Sequence, residues 1–521
     1  MTSRSRGAAS GGARRLVPFG CALLAAALYT LASPPRSLSV LAWLVPGLLL
    51  CPLEGVSLRR AALAGGVFGV AIGAGVTTWA VHASLRYFEL DPVVATGFAI
   101  LTWILASGVP YAFLGASFVL VGRRTPEALH PVVGAWLWVL AEVARSLPPW
   151  GLPWGLLSHT QWQQPTWIQI ADLGGAYLVT FSIVLVSTAA GAVIRDAVAR
   201  RRPLRLASRL VPAGLVIAAT FAYGVASLGS RAVSAESARG ARHVAVVQSD
   251  GTDGMNWKRI AAEREVLDYL RLSSAVLPRL GAGDLVVWPE NAVDLYLDRE
   301  PMLLARVGGL ARRSGADLIV GAPRLEGATI ARNAAHLIGS DGRIRGSYDK
   351  RVLVPLAEGS LFGPSDAVAS EPHYAGGSSS APLAASSFEV GTVICFEVLF
   401  PQLVRDAVRR GANLIVNVSN DSWLDEGSGT APKQHFAMSV LRAVETRRWL
   451  VRASAGGRSG IVTPLGEIDA TVEWGETGAA VGRVEPRNEL TPYVRFGETW
   501  VLVVGAAIAV ASLLRRRAEA A

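Results

Sequence analysis

A succession of long apolar runs limits the fold of this chain more than any other feature of its 521 residues. Each run is near or above the roughly 20 residues that cross a bilayer, although the second and the fifth are short. The chain is 51% hydrophobic and only 17% charged, which is too apolar for an ordinary soluble protein. The sequence therefore predicts a polytopic α-helical membrane domain with eight spans, at about 16–32, 38–53, 60–82, 92–121 (kinked or tilted at Pro110), 131–146, 170–194, 209–229 and 499–514.

The arginines between these runs predict an orientation. With eight spans, most of them fall on one side, and the positive side is cytoplasmic. The net charge of +10 then reflects membrane topology, and we expect no nucleic-acid partner. Seven spans precede the long segment 230–498, so this segment lies outside the cytoplasm. The predicted domains are a membrane domain (1–229), an extracytoplasmic domain (230–498) and a C-terminal span with a basic cytoplasmic tail (499–521).

Segment 230–498 has a different pattern, in which short β-branched runs alternate with amphipathic stretches. This pattern predicts an α/β domain. The predicted strands are Val244–Gln248, Leu285–Trp288, Leu318–Gly321, Ala335–Ile338, Val390–Ile394, Leu414–Val418, Leu450–Ala453 and Gly460–Val462. The predicted helices are Trp257–Leu277, Arg299–Ser314, Pro401–Arg410 and Pro432–Arg448.

Two loops carry open alternatives. The Gly/Ser/Ala/Pro-rich stretch 360–387 is either a mobile lid or an inert insertion. The outer loop 147–169 is rich in Trp, Pro and Gly, and it is either an aromatic belt at the headgroups or part of a lipid entry site.

Three polar side chains of the α/β segment are out of character with the apolar runs beside them. Glu290 ends a strand-like run, Lys350 precedes one, and Cys395 ends another. Each has a simpler explanation, as a cap, a solvated lysine or a packed core thiol. The remaining cysteines, Cys21 and Cys51, lie in apolar segments, so the sequence predicts neither a disulfide framework nor a metal site.

Together, these three side chains would form a coherent catalytic group. A carboxylate takes the proton of a thiol as general base, and a lysine ammonium stabilises both the thiolate and a developing oxyanion. The amide of Phe396 would supply a second oxyanion donor. Because the first product is a thioester on Cys395, the residues indicate two-step acyl transfer or amide hydrolysis.

Four motifs appear in the order found in the nitrilase, or carbon–nitrogen hydrolase, superfamily: Trp288-Pro289-Glu290, Asp349-Lys350-x-x-Leu-Val-Pro, Cys395-Phe396-Glu397 and Asn417-Val-Ser-Asn420-Asp421-x-Trp423. This resemblance implies an αββα sandwich with a Glu-Lys-Cys triad. With seven spans before the sandwich and one after it, the whole chain resembles the apolipoprotein N-acyltransferase family of the bacterial envelope.

The resemblance implies a role for each matching residue. Glu290 would be the general base, Lys350 the stabiliser of thiolate and oxyanion, and Cys395 the acylated nucleophile. It implies no metal and no cofactor. Five further residues match positions near the family's site, where structural support and a direct role both stay open: Trp257, Glu358, Phe396, Glu397 and Asn420.

The function implied by the resemblance is acyl transfer between two membrane-anchored substrates. A phospholipid would donate a fatty acyl group to Cys395, and the α-amino group of a diacylglyceryl-modified N-terminal cysteine of an apolipoprotein would accept it. We expect a monomeric, multi-pass protein of the bacterial inner membrane with its catalytic domain on the periplasmic side.

Two other functions stay open at this point. A membrane-tethered amidase would use water as acceptor, although one span would suffice for tethering. A non-catalytic scaffold or transporter would need neither the triad nor Cys395. Few charges lie within the spans, which disfavours a transport path, and Glu142 is an exception without an assigned role.

Overall fold

The computed structural model describes residues 4–86, 89–147, 151–198, 203–234, 240–249, 259–354, 358, 373–424 and 427–520. The chain divides into two compact units. The first comprises Met1–Ser84, Leu90–Val225 and Phe496–Ala521, and the second comprises Leu85–Glu89 and Ala226–Arg495.

The first unit is built of helices. In chain order these are α1 (Arg4–Ala32), α2 (Val45–Leu50), α3 (Leu58–Val76), α4 (Trp79–Arg86), α5 (Pro92–Trp103), α6 (Val109–Gly122), α7 (His130–Ala144), α8 (Pro165–Ile168), α9 (Ala171–Gly174), α10 (Ala176–Val198) and α11 (Pro203–Ser234). A C-terminal helix, Thr499–Ala520, completes the unit.

Within the described residues, six helical stretches are long and apolar enough to cross a bilayer. They correspond to six of the eight predicted spans, and the protein is a membrane protein. The two predicted spans noted as short are shorter helical segments, at Ser39–Leu53 and in the 15 residues of α7. The total of eight spans therefore stays a prediction.

A single π-helical turn, Ile104–Gly108, joins α5 to α6 and makes residues 92–122 one continuous stretch of 31 residues. Pro110, which predicted a kink, follows this turn directly. Helix α3 packs closely here, because a Cβ on Gly69 would lie 2.5 Å from the carbonyl oxygen of Ser107. Small residues of this kind allow membrane helices to approach each other.

Glu142, whose role the sequence left open, is a buried structural acceptor in α7. One of its carboxylate oxygens accepts hydrogen bonds from the backbone N–H of Leu157 (2.8 Å) and from Trp138 Nε1 (3.3 Å). The other accepts one from Thr180 Oγ1 at 2.9 Å. These bonds hold the Trp-rich loop to the helices. Trp154 of that loop is buried within the unit, so it does not serve as a lipid-facing belt residue.

The second unit alternates strands and helices. Its strands are β1 (Arg242–Gln248), β2 (Leu285–Val287), β3 (Asp317–Gly321), β4 (Arg324–Glu326), β5 (Ile330–Arg332), β6 (Ala334–Ile338), β7 (Ile344–Asp349), β8 (His373–Tyr374), β9 (Leu383–Ala384), β10 (Glu389–Ile394), β11 (Leu414–Asn420), β12 (Leu450–Ala455), β13 (Ser459–Val462), β14 (Ile468–Val472) and β15 (Gly478–Val484). Its helices are α12 (Arg259–Val276), α13 (Pro301–Ser314), α14 (Pro401–Arg409), α15 (Thr430–Thr446) and α16 (Pro492–Phe496).

Most of these strands form two six-stranded sheets, with strand orders β15-β1-β2-β3-β6-β7 and β14-β13-β12-β11-β10-β9. Strands β1, β2 and β3 are parallel neighbours, as are β10, β11 and β12. The carboxyl ends of parallel strands meet at one edge of a sheet, which is where the predicted motifs end. A small third sheet has the order β4-β5-β8.

The two large sheets pack face to face, and helices cover their outer faces. In β1, Val244 and Val246 enter a core shared with the second sheet, whereas Ala245 and Val247 face the helices α12 and α13. This alternation follows from the two-residue period of a strand. Each such apolar side chain contributes about 1.5–3 kcal/mol on burial. The predicted αββα sandwich is confirmed.

All eight predicted strands and all four predicted helices are present. The start of the first helix, including Trp257, lies outside the described residues. The sequence missed several strands, mainly short or partly exposed ones: β4, β5, β7, β8, β9, β14 and β15. In the predicted loop 360–387, residues 373–387 contain β8 and β9, while 360–372 lie outside the described residues. The lid therefore stays a prediction.

Candidate active site

Glu290 is positioned by the end of β2. Trp288 anchors the turn, because its ring is buried and stacks on Tyr269 with centroids 5.3 Å apart. Its indole N–H donates to Ser273 Oγ at 2.9 Å. Gly321 at the end of β3 provides the space, since a Cβ there would lie 2.1 Å from the Pro289 carbonyl oxygen. The local packing thus fixes the backbone that carries the carboxylate.

Lys350 follows directly after β7. This strand neighbours β6 in the same sheet that contains β2. Its backbone N–H donates to the Asn333 carbonyl oxygen at 2.8 Å. The side chain is 1% exposed, and its Nζ lies 2.9 Å from Glu290 Oε1 and 2.8 Å from Glu358 Oε2. One buried ammonium is therefore shared by two carboxylates.

Cys395 ends the strand β10 of the facing sheet, and it is 2% exposed. Its φ of +51° lies in the left-handed region, which a non-glycine residue rarely adopts. Such strain is found at functional sites, where the surrounding structure holds it in place. The Sγ atom lies 4.0 Å from the carbonyl oxygen of Asn420.

The charges of the site follow from burial and pairing. Burial alone would lower the pKa of Lys350, but Glu290 and Glu358 outweigh it and raise that pKa well above its ordinary value. Burial, and next the charge of Glu290, raises the pKa of the Cys395 thiol well above its ordinary value, against the opposing effect of Lys350. The resting site therefore holds a neutral thiol beside an ammonium.

Glu397 joins the Lys350 segment to the Cys395 turn. Its Oε1 accepts the backbone N–H groups of Arg351 (2.6 Å) and Val352 (3.0 Å). Its Oε2 accepts the Tyr348 hydroxyl (3.0 Å) and the N–H of Ile394 (2.8 Å). Through these contacts Glu397 positions the Lys350 segment and the Cys395 turn.

Asn333 contacts the carboxylates of the site, although the sequence did not assign it there. Its Nδ2 donates to Glu290 Oε1 at 2.7 Å and to Glu358 Oε1 at 2.5 Å. The amide thus bridges the two carboxylates that hold Lys350. A polar residue between the strands β5 and β6, which belong to different sheets, was the available signal, but nothing local indicated its partners.

Asn420 takes part through its backbone, because its N–H donates to Glu290 Oε2 at 2.9 Å. Its side-chain oxygen instead accepts from Ser422 N and Oγ, at 3.1 and 2.6 Å. Phe396 packs edge-to-face on Phe400, with ring centroids 5.0 Å apart. The structure thus brings together Glu290, Lys350, Glu358, Cys395, Glu397 and Asn420, whereas Trp257 lies outside the described residues.

A buried polar cluster beneath Cys395 was also missed. His435 Nε2 lies 3.2 Å from the Cys395 carbonyl oxygen, and its Nδ1 lies 2.9 Å from Asp421 Oδ1. Arg452 Nη2 donates to Asp421 Oδ2 at 2.7 Å. These partners come from β11, α15 and β12, so no local pattern links them.

Among the described residues, one group of side chains has metal-ligand chemistry. Ligand atoms of Cys395, Asp421 and His435 lie within 4.8 Å of one another. The guanidinium of Arg452 already neutralises the Asp421 carboxylate and repels a cation at the same place. We therefore assign no metal to this cluster.

Comparisons with known proteins agree with this geometry. The family model described as carbon–nitrogen hydrolase matches residues 243–490, and the model described as apolipoprotein N-acyltransferase N-terminal domain matches residues 25–189. The sandwich with its Glu-Lys-Cys site is thus a carbon–nitrogen hydrolase domain joined to a helical membrane domain.

Curated relatives extend the match to nearly the whole chain. Apolipoprotein N-acyltransferase of Geobacter metallireducens is 32% identical over 509 residues, which are 95% of this chain and 95% of that protein. The protein of the same name from Azotobacter vinelandii is 30% identical over 96% of this chain and 95% of its own length. The chain belongs to the apolipoprotein N-acyltransferase family, and the resemblance noted in the sequence is confirmed.

Solved structures match about half of the chain. A carbon–nitrogen hydrolase of Helicobacter pylori G27 is 16% identical and covers 47% of this chain and 89% of its own, with a TM-score of 0.38. A mutant of the Nesterenkonia AN1 amidase from the nitrilase superfamily is 20% identical and covers 50% of this chain and 95% of its own, also with a TM-score of 0.38.

Proposed function

We propose that this chain transfers a fatty acyl group from a membrane phospholipid, through a thioester on Cys395, to the α-amino group of the N-terminal diacylglyceryl-cysteine of apolipoproteins. The observation that carries the proposal is the buried thiol beside the Glu290–Lys350 pair, in a chain of this family. The name of the relatives indicates the lipoprotein acceptor, and the resemblance to this family implies the phospholipid donor.

The first half-reaction acylates the thiol. Glu290 takes the proton of Cys395 as sulfur attacks the ester carbonyl of the phospholipid, and a C–S bond forms. The ammonium of Lys350 stabilises the negative oxygen of the tetrahedral intermediate. When the C–O bond breaks, protonated Glu290 returns its proton to the departing alkoxide, which leaves as a lysophospholipid.

The second half-reaction transfers the acyl group. The neutral α-amine of the acceptor attacks the thioester carbonyl, and Glu290 takes one proton from its nitrogen. The C–S bond breaks, the new amide remains on the acceptor, and the proton returns to the sulfur of Cys395. Because the lysophospholipid leaves before the acceptor attacks the acyl-enzyme, the kinetics are ping-pong.

The proposed location follows from the arginine distribution. With arginine-rich loops in the cytoplasm, residues 230–498 lie on the periplasmic side of the bacterial inner membrane. The donor is a membrane lipid, and the acceptor is anchored in the membrane by its diacylglyceryl group. We propose that the protein acts on them as a monomer.

Intact-protein mass spectrometry tests the proposal. Purified full-length protein in detergent is incubated with a phospholipid of defined acyl chains. We expect a mass increase of one acyl group, lost on treatment with hydroxylamine, which cleaves thioesters. A synthetic diacylglyceryl lipopeptide with a free amine should discharge the adduct, whereas the same lipopeptide with an acetylated amine should not.

The chain offers matched controls for this experiment. Cys395→Ala should abolish the adduct, whereas Cys51→Ala, which removes a thiol from the membrane domain, should leave it unchanged. An adduct that disappears at the same rate with either lipopeptide and with buffer would contradict acyl transfer and indicate an amidase. The absence of any adduct in the folded wild-type protein would contradict the covalent mechanism.

A further inference from the structure

Arg145 is a buried cation in the membrane domain that the proposed reaction does not use. It follows the last residue of α7 directly and is 6% exposed. No carboxylate oxygen of the described residues lies within ion-pair distance of its guanidinium. Glu142, one turn earlier, is engaged by Trp138, Leu157 and Thr180 instead. Arg145 still interacts with the Glu142 charge through space, and its guanidinium carbon lies 5.7 Å from the centroid of the Tyr111 ring. A buried cation in a membrane domain is costly, so such a residue indicates a function.

Two of the guanidinium nitrogens hold backbone carbonyls in place. Nε donates to the Ala106 carbonyl oxygen at 3.0 Å, and Nη2 donates to the Trp154 carbonyl oxygen at 3.0 Å. Ala106 needs this donor, because the residue four positions later is Pro110, which has no N–H. These bonds fix the orientation of the guanidinium against the π-helical turn.

The third nitrogen, Nη1, is buried and has no hydrogen-bond partner within the described part of the chain. Arg145 lines a cavity of about 10 Å³, which holds one water-sized atom. Other lining residues include Tyr29, Thr77, Trp103 and Ser107, and no acidic residue is among them. The cavity is not fully enclosed, and Trp103 and Thr102 in its lining are partly exposed.

The polar groups around this cavity are already paired with one another. The Tyr29 hydroxyl donates to the Gly155 carbonyl oxygen at 2.7 Å. Trp103 Nε1 donates to Thr77 Oγ1 at 3.0 Å, and that hydroxyl donates to the Gly73 carbonyl oxygen at 2.7 Å. A water would offer Nη1 only a neutral acceptor. An anionic oxygen would form a charge-assisted hydrogen bond with it, which is shorter and roughly twice as strong.

We propose that Arg145 binds a phosphoryl oxygen of a membrane phospholipid, with one oxygen in this cavity and the remainder of the lipid outside it. The choice of a lipid as the source of the phosphate rests on the proposed function. The subsite would recognise the phosphate that every glycerophospholipid carries, so it selects phospholipids over uncharged acylglycerols without selecting a headgroup.

Native mass spectrometry of the full-length protein tests this subsite. Cys395→Ala protein in detergent, which binds lipid without turnover, is titrated with phosphatidylglycerol or with diacylglycerol of the same acyl chains. We expect tighter binding of phosphatidylglycerol. Adding Arg145→Gln should reduce this preference about tenfold or more, as expected for a hydrogen bond to a charged group. The lipid preference of the Arg145→Lys protein, which keeps the charge, should lie between that of the protein with Arg145 and that of Arg145→Gln.

Arg36→Gln is the matched control, because Arg36 is exposed and is assigned to the same outer side. It should leave the preference unchanged. An unchanged preference in folded Arg145→Gln protein would overturn the proposal and leave water in the cavity. Equal displacement of lipid by inorganic phosphate at the lipid's own concentration would overturn the lipid source. Thioester formation on Cys395 is measured separately, so failure of the subsite is distinguishable from failure of the proposed reaction.

Discussion

Replacing Glu290 by Gln should make Cys395 more reactive towards a small alkylating agent while it stops acyl transfer. The charge of Glu290 is the second largest cause, after burial, of the raised pKa of the thiol. Gln removes that charge and leaves Lys350 paired with Glu358. The thiol should then ionise more readily, even though the general base has been lost.

The size of the effect follows from two opposing terms. A neighbouring charge shifts a pKa by about 1–3 units, which raises the thiolate fraction about 10- to 1,000-fold below the pKa. The nucleophilicity of the thiolate falls with its pKa, with a Brønsted coefficient of about 0.4–0.5, so the net gain in rate is roughly 3- to 60-fold. Over the same change, loss of general-base catalysis should slow acyl transfer about 10²- to 10⁴-fold.

The assay is alkylation by iodoacetamide at pH 8, followed by mass spectrometry of the peptide that contains Cys395. Glu358→Gln is the matched control, because this carboxylate also contacts Lys350 but is not among the main causes of the thiol's raised pKa. Glu358→Gln should change the alkylation rate of Cys395 less than Glu290→Gln does. Slower alkylation in a folded Glu290→Gln protein, judged by its melting temperature, would refute the electrostatic reasoning.

Three further predictions concern the supports of the site and the core. Asn333→Ala removes the amide that bridges the two carboxylates, and it should slow the initial rate of acyl transfer about tenfold with little change in substrate KM. Leu414→Ala, between the two sheets, should lower the free energy of unfolding by about 2–5 kcal/mol in denaturant titrations. Burial would raise the pKa of Asp421, but Arg452 and His435 outweigh it and lower that pKa. The stability from this carboxylate is therefore present above about pH 4 and is lost as the pH falls further, so acid should lower the melting temperature of the wild type more than that of Asp421→Asn. An unchanged rate of acyl transfer in Asn333→Ala would contradict the first expectation. A decrease in the free energy of unfolding below about 1 kcal/mol for Leu414→Ala would contradict the second. Equal losses of melting temperature with falling pH in the wild type and in Asp421→Asn would contradict the third.

The sequence predicted the sandwich and its site because local patterns carry both. Apolar β-branched runs buried on both faces are recognisable without their partners, and Glu290 and Cys395 each follow such a run, whereas Lys350 precedes a shorter, partly buried apolar run. The edge strand β7 was missed because only one of its six residues is buried and because it includes a glycine. The number of spans stayed open because α7 has only 15 residues.

What the sequence did not predict depends on pairing between distant segments. Asn333 reaches Glu290 and Glu358 across 43 and 25 residues. His435 reaches the Cys395 carbonyl across 40 residues. The strained backbone of Cys395 is a property of this surrounding structure, and composition or periodicity does not reveal it.

The shared ammonium of Lys350 also bears on inhibition by free fatty acid. Lys350, Glu290 and Glu358 together carry one net negative charge beside the nucleophile. A free fatty acid is anionic at neutral pH and is repelled by this charge, whereas an uncharged ester is not. A fatty acid released by accidental hydrolysis should therefore neither return to Cys395 nor block it, and palmitate should inhibit the enzyme less than methyl palmitate does.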